Sequence, residues 1–163
     1  MQALLEKIQE NARWVIEKYA NELDYLSREP YDVSEFFGNL MLNEGINEAE
    51  KLITGAAATA YNNANARLGV GDSITAADAA QTGLQAVTNK LWKAMDATYP
   101  TVGSQVITFK STFGSTDANF SWQEFTVVNA ADDTGKNLNR KISDQGTKAS
   151  GQTWVLTLTL TLS

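Results

Sequence analysis

The chain has 163 residues, 43% of them hydrophobic and 20% charged, and its 13 Lys and Arg against 19 Asp and Glu give a formal charge of -6. This composition is that of a water-soluble globular domain and argues against disordered, collagen-like and membrane-spanning chains. The acidic balance argues against a nucleic-acid partner, and the absence of Cys and His removes disulfides, Cys or His zinc sites, and Cys-His or Ser-His-Asp nucleophile systems.

The acidic excess is confined to one end. Residues 1–52 hold five Lys or Arg and eleven Asp or Glu, whereas residues 53–163 hold eight of each, and Glu124 is the one Glu of the second part. A shift of this size predicts a change of architecture near residue 53, with an N-terminal helical arm over 1–52 and a β domain over 53–163. The opening MQALLEKIQENAR is charged where a signal peptide needs an apolar core, so synthesis in the cytoplasm without export by that route is expected.

Gln2 to Leu26 has no Gly or Pro and is rich in Leu, Glu, Lys and Ala, a helical preference. Leu5, Ile8, Ala12, Val15, Tyr19 and Leu26 recur at steps of three and four, interrupted at Glu22, and Trp14, Ile16 and Leu23 widen the stripe. The pattern predicts an amphipathic helix of roughly 37 Å, packed on its own domain or on another subunit. Leu5, Ile8, Trp14, Val15, Tyr19 and Leu26 are its partner-binding candidates, with Trp14 as the aromatic anchor. Pro30 stops the helix. A second short helix from Glu35 to about Asn43 is predicted, capped by Asp32 or Ser34 and ended by Gly45, with another turn or two over Ile46 to Ile53.

From Ala58 the period changes to two. Trp154, Leu156, Leu158, Leu160 and Leu162 alternate with Val155, Thr157, Thr159 and Thr161, the pattern of a half-buried strand. Gln105 to Phe113 alternates likewise, and Asn119 to Asn129 reads as a strand apolar on both faces. Weaker strands are predicted at Thr59 to Val70, Leu91 to Thr98 and Leu138 to Ser143. Turn-rich stretches separate them at Gly69 to Ser73, Gly114 to Asp117 and Asp132 to Asn137. Thr75 to Leu84 reads as a short helix or an ordered loop. The fold class is therefore α+β: a helical arm followed by an antiparallel β-sandwich or jelly-roll of roughly six strands.

Few residues invite chemistry. Gly69-Val70-Gly71-Asp72-Ser73 lacks the third glycine and the Lys-Ser/Thr of a phosphate loop and reads as a turn after a strand. Asp132-Asp133-Thr134-Gly135 lacks the spacing of a calcium loop and reads as a hairpin turn. Glu124 stands between Trp122 and Phe125 in an apolar strand, where a carboxylate must find a partner or take up a proton. Arg140, in the next strand, is the expected partner in a structural ion pair, against the alternatives of simple exposure and a general acid or base. No catalytic residue, metal site or cofactor is expected.

Asn39-Leu40-Met41-Leu42-Asn43-Glu44-Gly45, Asn65 through Gly69-Val70-Gly71-Asp72-Ser73, Met95-Asp96 and Tyr99-Pro100 occur in order along the chain. They are followed by Thr112-Phe113-Gly114, Ala118-Asn119-Phe120 with Trp122 and Glu124, Leu138-Asn139-Arg140-Lys141, and Gly146-Thr147-Lys148. Together these motifs resemble a family of small structural proteins of tailed bacteriophages, from about residue 36 to the end. The resemblance implies a virion component without catalysis, of the kind found among head-decorating proteins and tail-fibre-like modules. The leading expectation is a capsid decoration, or cement, protein. It would form homotrimers and bind the major capsid protein on the capsid exterior, with no nucleic-acid or membrane partner. A tail-fibre, collar or head-tail adaptor module is the alternative within that class. A sugar-binding or sugar-cleaving module, resting on the β fold and exposed aromatics, is the alternative outside it.

Overall fold

The computed structural model describes residues 11–162. Ten strands and two helices run in the order β1 (Ala12–Tyr19), α1 (Glu22–Ser27), β2 (Asp32–Phe37), β3 (Leu40–Met41), α2 (Asn43–Thr54), β4 (Arg67–Gly71) and β5 (Lys90–Ala94). They continue with β6 (Thr101–Gly103), β7 (Val106–Phe113), β8 (Glu124–Val128), β9 (Asn139–Ile142) and β10 (Thr153–Thr161) among those residues. They form two five-stranded sheets, ordered β2-β1-β10-β7-β6 and β3-β9-β8-β4-β5, with every paired strand antiparallel.

The expected helical arm is not what residues 12–19 form. They are strand β1, flanked by β10 and β2, with Trp14 opposite Leu158 and Phe36. Ala12, Trp14 and Ile16 face inward and are buried, while Arg13, Val15 and Glu17 face the other way. The physical reason is that both edges of this segment find ladder partners and its aromatic and β-branched residues fill the core, which outweighs a weak intrinsic helix preference. Among the described residues of the expected arm, helix survives in α1, where Asn21 Oδ1 accepts from the Asp24 amide at 2.9 Å and Arg28 closes the turn in the left-handed region at φ 59°. Residues 12–41 thus supply three strands to the same two sheets as residues 67–161.

The second helix is also displaced from its expected place. Residues 32–37 are strand β2, and the helix spans Asn43–Thr54 with Gly45 inside it. A Cβ on Gly45 would stand 2.5 Å from the Leu138 Cα, so this glycine lets α2 cross the backbone before β9 at close range rather than ending the helix.

The core lies between the sheets. Trp14, Phe36, Phe109, Leu156, Leu158 and Leu160 of the first sheet meet Met41, Leu68, Val70, Phe125 and Val127 of the second. Trp14 and Phe125 bridge them with ring centroids 5.8 Å apart, and Trp122 packs edge-on against Phe113 at 4.8 Å and Trp154 at 4.9 Å. The alternation expected over residues 154–162 is present in β10 from Leu156 on, whereas Val155, expected on the open face, is buried. β8 is buried on both faces.

Candidate functional site

The outer face of the second sheet carries the most developed polar arrangement. On β8, Phe125 and Val127 enter the core, so Glu124 and Thr126 point the other way, toward a long connection of residues 72–89 that has no regular structure. Glu124 and Arg140 are fully buried and meet there. Arg140 Nε donates to Glu124 Oε2 at 2.8 Å, and Nη2 lies 2.7 Å from the same oxygen. The pair then reaches outward. Glu124 accepts from the Gln85 amide at 2.9 Å and the Ala86 amide at 2.8 Å, and Arg140 Nη1 donates to the Thr75 carbonyl at 2.8 Å and Gln81 Oε1 at 3.0 Å. Four points of the 72–89 connection are therefore tied to one ion pair, whose opposite charges offset each other in the interior. Held this way, the carboxylate of Glu124 is an anchor and not an accessible acid or base.

The Gly69-Val70-Gly71 motif takes its meaning from this face. It lies within β4 and not in a turn after it. Gly71 is the ladder partner of Glu124 and Gly69 of Thr126. A Cβ on Gly69 would stand 2.8 Å from both Thr126 Cγ2 and Trp92 Cδ1. The glycines leave room for side chains from β5 and β8 to lie across β4.

The Asp132-Asp133 turn adds a second anchor. Asp132 Oδ1 accepts from the Thr134 amide at 2.9 Å and hydroxyl at 2.6 Å, closing the turn. Asp133 turns inward, accepting from Trp92 Nε1 at 3.1 Å and the Leu84 amide at 3.2 Å, and burial holds its pKa above the ordinary carboxylate value. Around it lies an open cavity of about 410 Å³ lined by Thr82, Gln85, Lys90, Trp92, Asp132 and Asp133, among others. Among the described residues, no three carboxylates gather as a cation site.

A second concavity has the opposite character. It measures about 300 Å³ between α2 and the β6-β7-β10 end of the first sheet, and is lined by Leu52, Ile53, Tyr61, Val102, Ile107 and Leu162 among other apolar side chains. Ile53 is 61% and Val102 79% exposed on its rim.

The described partner-binding candidates, Trp14, Val15, Tyr19 and Leu26, do not share a stripe. Leu5 and Ile8 lie outside the described residues. Trp14 is sealed in the core, so it is no anchor for a partner. Val15 is half-buried on the outer face of β1, and Leu26 is exposed on α1. Tyr19 is buried with its hydroxyl on Glu17 Oε2 at 2.9 Å, and burial pushes its pKa up to about 12. Trp92, Ile53 and Val102, which do build concave surface, carry no site signal in the sequence, and Asp133 reads there only as part of a hairpin turn. Their only signals were turn chemistry at 132–135 and an aromatic in a weak strand. No protein family, curated protein or solved structure matches the chain.

Proposed function

We propose that this chain is a structural protein of a tailed-phage virion, a capsid decoration protein that binds the outer head surface as a trimer and stabilises the shell. The observation that carries the reading is the apolar groove between α2 and the β6-β7-β10 edge. A solvated monomer gains nothing by leaving Ile53, Val102 and Leu52 in water around a concave apolar surface, whereas a subunit interface does. A second copy of the chain is the occupant proposed here. The groove opens beside β6, an edge strand whose three residues are all exposed, so a neighbouring copy meets no obstructing element among the described residues. The ordered motifs from Asn39 to Lys148 support the same class of protein.

In this role no bond is made or broken. A protein that binds only the assembled shell stabilises it by mass action, and many copies bridging copies of the major capsid protein oppose shell opening collectively. The chain is made in the host cytoplasm and resides on the capsid exterior. Imaging labelled protein on phage particles tests this: many copies distributed over the head support decoration, a few at one vertex or on the tail favour a tail-fibre, collar or adaptor module, and no attachment overturns the reading.

A further inference from the structure

The polar depression beside Trp92 is open to solvent, and its lining groups are held in place. Trp92 lies on the outer face of β5, directly across from Gly69, and its indole occupies space that a side chain on Gly69 would fill. Its Nε1 is fixed on Asp133, and Asp133 is in turn held by the Leu84 amide. Gln85 donates its backbone N–H to Glu124 of the buried Glu124–Arg140 pair, and its side-chain Nε2 donates to the Gly83 carbonyl at 2.9 Å. Ring, carboxylate and amide are thus positioned by packing and by backbone hydrogen bonds before any ligand arrives, the condition for preorganised recognition.

The lining then selects a ligand class. One indole offers an apolar platform. Around it, Thr82, Gln85, Asp132 and Lys90 supply both donors and acceptors. Two neighbouring carboxylates oppose phosphate or any other anion, and Lys90, 3.8 Å from Asp133 and 5.7 Å from the indole centroid, opposes a free cation. A purely apolar ligand would strand the polar rim without partners. What fits is a small neutral molecule with a C–H face and a rim of hydroxyls that both donate and accept. The cavity, about 410 Å³, matches small-ligand sites in volume, while its openness to solvent suits a weakly bound polar ligand.

We propose that this cavity is a binding site for a neutral saccharide unit, which lays its C–H face on Trp92 and hydrogen-bonds through its hydroxyls to Asp132, Gln85 and Lys90. Lys90 moves from above the indole to the rim of the bound ring, a swing of its half-buried flexible stem. The inference stands apart from the virion reading, since a glycan site would serve a particle or a free module equally.

The protein itself provides the probe. Of its four Trp, Trp14, Trp122 and Trp154 are 0–1% exposed, so a ligand-induced change in indole fluorescence reports on Trp92. The full chain is titrated with glucose, galactose, mannose and N-acetylglucosamine, and with inorganic phosphate and glucose 6-phosphate as anionic controls. At least one neutral sugar is expected to saturate the signal with a Kd on the order of 1 mM. Trp92→Ala should abolish the response. Asp132→Asn, which keeps the turn-closing acceptor, should weaken binding about tenfold without changing the melting temperature. Isothermal titration of both variants separates loss of binding from loss of the reporter, and thermal melts identify misfolding. No saturation with any neutral sugar up to about 50 mM, tighter binding of the anionic controls, or calorimetric binding undiminished in well-folded Trp92→Ala and Asp132→Asn would each overturn the assignment.

Discussion

Gly71 faces Glu124 across the β4–β8 ladder, and the space where its side chain would stand is taken by the Glu124 carboxyl group. A Cβ there would lie 3.0 Å from Glu124 Cδ and closer still to Oε1. The carboxylate cannot yield without losing Arg140 and the Gln85 and Ala86 amides. Gly71→Ala is therefore expected to cost about 2 kcal/mol in urea denaturation. Gly103→Ala, where nothing lies within 4 Å of the added methyl, should change stability by less than about 0.5 kcal/mol.

Arg140 holds one end of the same clamp. Removing it leaves a buried carboxylate without its cation, so Arg140→Ala is expected to lower unfolding free energy on the order of 3 kcal/mol. It should also speed hydrogen exchange at the Gln85 and Ala86 amides, whose acceptor it positions. A negligible loss of stability, with those amides still protected, would show that the 72–89 connection is held by something else.

Lys148 is a buried cation of a different kind. Its ammonium donates to the Gly114 carbonyl at 2.7 Å and Asn119 Oδ1 at 2.8 Å, and burial lowers its pKa from 10.5 to about 8 although Asp117 opposes the shift. Between those two values the unfolded chain binds more protons at this position than the folded one, so this residue's contribution to stability rises with pH from about 8 to about 10.5. Below about pH 8 both states are charged and the folded state carries the full desolvation cost. The stability of wild type relative to Lys148→Met, measured by urea titration from neutral pH upward, should climb through this window; a flat difference would contradict the shift.

β1 lies between β2 and β10 in the first sheet and supplies Trp14 and Ile16 to the core. Deletion of residues 1–28 is therefore expected to abolish the cooperative thermal transition. Trp14→Ala alone should cost about 3–5 kcal/mol. An arm dispensable for folding would leave both unchanged.

The parts of this fold legible in sequence were those where one face is buried and the other wet. From Leu156 on, β10 alternates buried leucines with partly exposed Thr157, Thr159 and Thr161, and that is how it reads. β1 was illegible because Lys and Glu flank its alternating Ala12, Trp14 and Ile16. Val15 and Tyr19 then completed a spurious three-and-four stripe. The Glu124–Arg140 pair was readable because a lone Glu in an apolar strand needs a partner. The role of Gly69 and Gly71 was not, since what they make room for comes from β5 and β8, distant in sequence. The same holds for both concave surfaces, each assembled from three or more segments.

The claim that this protein works by packing against copies of itself is tested most directly by its mass in solution. Light scattering of the purified chain is expected to give three chains per particle, and Val102→Asp or Ile53→Asp, which put a charge on the groove rim, should give single chains of 17.8 kDa that melt like the parent fold. A wild-type monomer, or a trimer indifferent to both substitutions, would contradict it.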